Sequence, residues 1–258
     1  KKKEVALNLS VMIIAANEEA RITKCLASLP SGIELILVDG MSDDKTREIA
    51  ESFHAKVLVR AFDNFCNQKN FALQACTRPW VLSLDADEEL TPSLCQKLTE
   101  IVSFPCDYDA FQIKRELYFQ GKRLRFGKSS DKPLRLFRNG KGHFVNPIHE
   151  RLVLKNAKIG FLSQGLKHYS YKSLADYFSK FNKYTSLIAI EHTQKNISPC
   201  KVWLNIFFRP FWEFINRFLL RLGFLDGYAG YLYAMISAFY TFIKYAKIIE
   251  IYSKDNNA

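Results

Sequence analysis

A chain of 258 residues, 48% of them hydrophobic, is long enough for one large α/β domain, or for one with an appended subdomain, around a sizeable core. The net charge of +11 points to an anionic partner, with nucleic acid, anionic lipid and phosphorylated substrates as the candidates. The six cysteines are scattered and form no C-x-x-C pair, which argues against zinc ligation or a disulfide framework and for reduced cytosolic thiols. Lys1-Lys2-Lys3-Glu4 leads straight into apolar sequence with no signal-peptide h-region before it, so export is not expected.

The first hundred residues alternate between strand and helix patterns. Leu9 to Ala15 reads as a buried strand, and Glu19 to Leu29 as an amphipathic helix stopped by Pro30 and Gly32. Glu34 to Val38 is a second strand, and Ser42 and Asp43 offer caps for a helix through Phe53. Val57 to Val59 is a short third strand, Asn67 to Cys76 a helix, and Trp80 to Leu84 a central strand. Thr91-Pro92-Ser93 opens a further helix, with Pro where its missing N–H does no harm. This alternation predicts a mixed, mostly parallel sheet flanked by helices.

Past Pro105 the segments shorten. Ala110 to Lys114 and Pro133 to Arg138 read as strands, Gly140 and Gly142 as a turn, and Ser173 to His192 as a helix. No repeat or low-complexity linker separates the halves. The expected organisation is a main domain over 1–195, split near 105, followed by a helical extension over 196–258.

That extension is rich in aromatic residues. Asn205, Arg209, Glu213, Arg217 and Arg221 recur every fourth position and form one polar stripe on an otherwise apolar helix, which Pro210 is expected to kink or interrupt. Tyr228 to Ile243 carries no charge, and Lys244 and Lys247 follow it. The segment falls short of the ~20 apolar residues of a simple membrane span. Aromatic and basic residues at an apolar boundary suit helices lying in a membrane interface, the alternative being a helical pair packed on the protein's own core.

Chemistry concentrates after the strands. Asn17-Glu18-Glu19 follows the first strand, Asp39 the second, and Asp85-Ala86-Asp87 the central one, while Lys69 lies in the helix that opens at Asn67. Carboxylates at the carboxyl end of such a sheet stand where open α/β sheets bind ligands. Two Asp side chains one residue apart can share a divalent ion and leave ligand positions for water and phosphate. No G-x-G-x-x-G follows the first strand, which disfavours a dinucleotide oxidoreductase.

In order and spacing these four segments resemble the inverting family 2 glycosyltransferases of GT-A fold, the likeness covering roughly the first hundred residues. The resemblance implies that Asn17, Glu18 and Glu19 lie along a nucleotide pocket and that Asp39 accepts a hydrogen bond from uracil. It implies that Lys69 neutralises the diphosphate, that Asp85 meets the ribose or the metal, and that Asp87 holds Mg²⁺ or Mn²⁺ directly. Inversion needs one carboxylate as base. Glu150, in Asn146-Pro147-Ile148-His149-Glu150-Arg151, is the candidate, with Asp131 next. A similar His-Glu pair after an L-R-L-F-R segment occurs in relatives that resemble lipopolysaccharide core glucosyltransferases, and here that segment is Leu134 to Arg138. His149 is placed to orient Glu150 or to contact phosphate.

His168, in His168-Tyr169-Ser170-Tyr171, stands as a contact to diphosphate or metal, or as a structural histidine. Gly223 and Gly227 read as helix punctuation. Relatives carry aromatic residues and a proline before the position matched by Asp131, whereas this chain has Gly127-Lys128-Ser129-Ser130, a more basic loop that suits a phosphorylated or acidic acceptor. The Q-x-x-R-W segment of processive synthases is absent, so single-sugar transfer is expected.

The resulting expectation is an enzyme on the cytoplasmic face of a bacterial inner membrane. It is expected to bind peripherally to anionic lipid and to move one hexose, glucose by resemblance, from a UDP-sugar to a lipid-linked acceptor such as the lipopolysaccharide inner core. Transfer to a polyprenyl phosphate and a non-catalytic membrane-binding protein of the same fold are the rivals. No nucleic-acid module accompanies the basic charge, and no feature specifies an oligomeric state.

Overall fold

Strands buried on both faces need apolar residues at successive positions, and the computed structural model shows where each set goes. It describes residues 6–146, 150–171, 173–193 and 199–255. In β1 (Leu9–Ala15), Leu9, Val11, Ile13 and Ala15 join one buried cluster and Met12 another. After α1 (Glu19–Ala27), β2 (Glu34–Asp39) divides likewise, with Leu35 and Leu37 on one side and Ile36 and Val38 on the other. Two-residue periodicity thus builds two cores, one on each face of a single sheet.

The chain continues through α2 (Thr46–Ser52), β3 (Lys56–Val59), α3 (Phe65–Gln74), β4 (Trp80–Asp85), β5 (Glu88–Leu90) and α4 (Pro92–Ser103). Then come β6 (Ala110–Phe119), β7 (Lys122–Arg123), β8 (Ser130–Asp131), β9 (Leu134–Arg138), β10 (Gly142–Val145), β11 (Arg151–Leu154) and β12 (Ile159–His168). Along the main sheet the order is β3-β2-β1-β4-β9-β6-β12-β5. The β3-β2-β1-β4 part is parallel, whereas β9 pairs antiparallel with both β4 and β6. β10 and β11 form a separate antiparallel pair. The expected mixed α/β sheet is present.

Chain order reverses at β1, which lies between β2 and β4. In register, Ala15 pairs with Asp39 and Ile14 with Asp85, so the three strands end together. A crevice at such a reversal is where sheets of this type bind ligands.

Several local details differ from the sequence reading. Asp44, not Ser42 or Asp43, serves the first turn of α2: its carboxylate accepts from the Thr46 N–H at 2.9 Å, while Ser42 bonds Asp39. α3 begins two residues before Asn67, because the Asn64 side chain accepts from the Asn67 N–H and caps it.

At the opposite end of β2, Glu34 ties β1 to the turn before β4. Ser10 Oγ and Thr77 Oγ1 donate to its carboxylate, as does the Thr77 N–H at 2.8 Å. Burial raises the Glu34 carboxyl, but these bonds outweigh it and hold it below its ordinary value. A depressed carboxyl stabilises the fold above its unfolded value of about 4.3, and that contribution is lost as pH falls through the folded value. Glu34→Gln is therefore expected to lower the urea midpoint at pH 7, with the deficit relative to wild type shrinking below about pH 4. A deficit unchanged by acid would count against this.

Contacts divide the described chain into two compact units, residues 1–115 with 131–168, and residues 116–130 with 169–258. The extension expected from residue 196 begins inside the second unit, after α5 (Leu174–Thr193). Its other helices are α6 (Pro199–Ile215) and α7 (Gly227–Asp255), joined by a π-helical turn at Asn216–Leu220 and a 3₁₀ turn at Gly223–Asp226. Pro210 does not end α6, which runs through it, and the irregularity comes later, at the π turn.

Gly227 has φ +64, a left-handed conformation suited to glycine, where the 3₁₀ turn gives way to α7. At Gly230 an added Cβ would lie 2.0 Å from the Gly223 carbonyl oxygen, so only glycine permits this approach. α7 continues past Ile243 because Lys244 and Lys247 are good helix formers, and Lys247 Nζ also bonds the Asn182 carbonyl of α5 at 2.9 Å. Among the described residues, no helix is long and apolar enough to cross a membrane.

Candidate active site

The sequence-selected residues of the first unit gather at the carboxyl edge of the β1, β2 and β4 strands. Backbone donors and short polar side chains lace the loops after β1 and β2 together. The N–H of Asn17 donates to Ser42 Oγ at 2.9 Å, that of Glu18 to Thr46 Oγ1 at 2.8 Å, and that of Glu19 to Asp44 Oδ2 at 3.0 Å. In return, Asn17 Oδ1 accepts from the Asp43 N–H and Glu19 Oε2 from the Lys45 N–H. Asn17 and Glu19 therefore set the shape of the two loops. Glu18 forms a bidentate pair with Arg21, at 2.6 and 2.7 Å.

Asp39 is fully buried at the end of β2 and accepts from the Ser42 N–H at 2.9 Å and from Ser42 Oγ at 2.5 Å. Arg47 Nε lies 3.7 Å from it. A carboxylate has about four acceptor positions, so these two bonds do not exhaust it.

Asp85 anchors the densest group. Its Oδ1 lies 3.1 Å from Lys69 Nζ, and its Oδ2 2.5 Å from Arg135 and 3.9 Å from Arg115. Burial works against the Asp85 charge, yet Arg135 and then Lys69 outweigh it and hold the carboxyl well below its ordinary range. Arg135 also meets Glu88, and Arg115 lies 3.1 Å from the same Glu88 oxygen. Glu88 is fully buried and accepts from the Asp85 N–H at 3.0 Å, which pins the turn between β4 and β5. Arg135 Nε is buried with no hydrogen-bond partner among the described residues.

Lys69, on α3 and only 4% exposed, also reaches Glu150 Oε1 at 2.8 Å. It thus bridges the proposed base and the first Asp of the D-x-D. Asp131, the other base candidate, is held by Arg115 through two bonds of 2.6 and 2.9 Å. Asp87 lies 3.6 Å from His168 Nε2 and 3.7 Å from Arg21. His149 lies outside the described residues.

Sequence reasoning passed over Arg115 and Glu88 and gave Arg135 no role. A signal for Arg135 was present: a charge between Leu134 and Leu136 in a strand whose centre is buried. Arg115 had none, since only strand pairing brings it to Glu88.

The donor chemistry fits a hard divalent cation. Asp87 and Asp85 offer carboxylate oxygens and His168 an imidazole nitrogen. Mg²⁺ keeps most of its shell for water and phosphate oxygens, so few protein ligands are required. Among the described residues, no three His, Cys, Asp or Glu side chains are already grouped to hold a metal ion.

Residues 10–178 match the family model described as glycosyl transferase family 2. An uncharacterised glycosyltransferase of Rickettsia typhi is 33% identical over 96% of this chain and 89% of its own length. The lipopolysaccharide core biosynthesis glycosyltransferase LpsC of Rhizobium meliloti is 30% identical over 95% of this chain and 93% of its own. Among solved structures, S. aureus TarS 1–349 in complex with UDP-GlcNAc is 15% identical, with 96% of this chain and 92% of that one covered and a TM-score of 0.48. With a family model spanning more than half of its length and relatives matched almost end to end, the chain belongs to glycosyl transferase family 2.

Proposed function

We propose that this glycosyltransferase moves a single hexose, glucose being the first candidate, from a UDP-sugar to a lipid-linked acceptor such as the lipopolysaccharide inner core, with inversion. The observation that carries the proposal is the position of Lys69 between Asp85 and Glu150, at 3.1 and 2.8 Å. One cation there touches both the residue assigned to the donor and the carboxylate assigned to the acceptor.

In this reading Asp39 accepts from the uracil ring, and the loop built by Asn17, Glu18 and Glu19 lines the nucleotide. Asp87 would hold Mg²⁺ or Mn²⁺, Asp85 would meet the ribose or the same ion, and His168 would contact the diphosphate or the metal. When bound, that ion supplies Lewis-acid stabilisation of the leaving diphosphate. Lys69 adds a fixed positive charge where negative charge grows as UDP departs. Glu150 takes the proton of the acceptor hydroxyl, whose oxygen attacks the anomeric carbon from the face opposite UDP. Residues 1–105 serve the donor and 106–195 the acceptor, while the helices of 196–258 hold the enzyme peripherally on anionic lipid at the cytoplasmic face. The 30% identity to a lipopolysaccharide core biosynthesis glycosyltransferase over nearly the whole chain supports this choice of acceptor.

The test is transfer from UDP-glucose labelled at C1 to truncated lipopolysaccharide cores, with the product anomer read by NMR. A β-linked hexose on the core is expected. Retained configuration would contradict the single displacement, and transfer only to polyprenyl phosphate would overturn the acceptor.

A further inference from the structure

The second unit holds a cavity of about 480 Å³ walled by α5, α6, α7 and the residues before α5. Tyrosines dominate its lining, among them Tyr177, Tyr233 and Tyr240. Three cations, Arg209, Arg217 and Lys244, face one carboxylate, Glu213. Glu213 is engaged by Arg217 Nε at 2.6 Å, and Arg217 also donates to the Gly127 carbonyl at 3.1 Å. Arg209 and Lys244 are therefore the positive excess. Burial, and after it the like charge of Arg209, push the Lys244 ammonium below its ordinary value. Two cations held together in a part-buried, tyrosine-lined space favour an anion that also presents hydrogen-bond acceptors.

The cavity is continuous with an apolar face. Trp212 belongs to its wall and is 54% exposed. One turn earlier on α6, Phe208 is 68% exposed, and Phe211 and Phe207 flank it at 67% and 70%. A ligand with a charged end and a long apolar remainder matches both features.

We propose that this cavity is a headgroup site, in which Arg209 and Lys244 hold the phosphate of an anionic membrane lipid while its acyl part lies along Phe207, Phe208 and Phe211. The proposal rests on the membrane-associated reading and gives it a specific ligand class.

The test is co-sedimentation of the full chain with vesicles of phosphatidylglycerol in phosphatidylcholine and of phosphatidylcholine alone. Wild type is expected to prefer the anionic vesicles. Arg209→Gln with Lys244→Gln is expected to weaken that binding at least about tenfold, whereas Lys155→Gln with Lys158→Gln, an equal charge change in the first unit, leaves it within about threefold. Arg209→Lys with Lys244→Arg, which keeps both charges, should retain binding and shows that the fold survives changes at these positions. If wild type binds the anionic vesicles and the glutamine pair at Arg209 and Lys244 binds them equally well, the headgroup site is wrong and the membrane reading stands. If wild type binds neither vesicle, both fall. If soluble glycerol phosphate at millimolar concentration occupies the site in calorimetry while vesicles do not compete, the lipid source is overturned.

Discussion

Glu150→Gln is expected to lower kcat by about 10²- to 10⁴-fold, the usual contribution of a positioned general base. The substitution keeps the shape and removes the ability to accept the acceptor's proton. Lys69 loses one ionic partner, though the amide oxygen can still accept from it, and keeps Asp85 at 3.1 Å, so the donor side stays assembled. UDP affinity should then change by less than about threefold, separating loss of proton transfer from loss of binding. Asp131→Asn serves as the comparison, because Asp131 is held by Arg115 through two bonds and is more exposed than Glu150. Near-normal kcat in Glu150→Gln together with a large loss in Asp131→Asn would move the base to Asp131.

Arg135→Met is expected to destabilise the first unit by about 3–5 kcal/mol, since removing one partner of a buried ion group leaves charges uncompensated. Arg135 is 6% exposed on its side chain and lies within 2.5 Å of both Asp85 and Glu88. Glu88 keeps Arg115 at 3.1 Å and Asp85 keeps Lys69, which places the loss toward the lower end of that range. Adding Glu88→Gln to Arg135→Met removes one stranded charge and should recover part of the loss, a coupling that a double-mutant cycle in urea measures. A loss below about 1 kcal/mol for Arg135→Met would show that the group is not a folding constraint.

The parallel half of the sheet was legible because its strands are buried on both faces, so that Leu9–Ala15 and Trp80–Asp85 appear as apolar runs interrupted only by Ser10, Ser83 and the terminal Asp85. The antiparallel half was less so. β7 and β8 span two residues each and leave no periodic signal. In the site, Asp39, Lys69, Asp85 and Glu150 stood out because each sits beside a recognisable segment. What joins them is set by pairing between strands far apart in the chain: Arg115 comes from β6, Arg135 from β9 and Glu88 from β5, and no local pattern encodes their meeting. Local competition explains the misread cap, since Ser42 is drawn to the buried Asp39 three residues before it.

The most direct measurement is turnover of a panel of UDP-sugars by the purified chain, with Mn²⁺ and with chelator. Turnover of one UDP-hexose that chelator abolishes, and that Asp87→Asn loses, is the expected result. Neither turnover nor Mn²⁺-dependent binding of UDP would contradict the donor site at Asp39, Asp85 and Asp87.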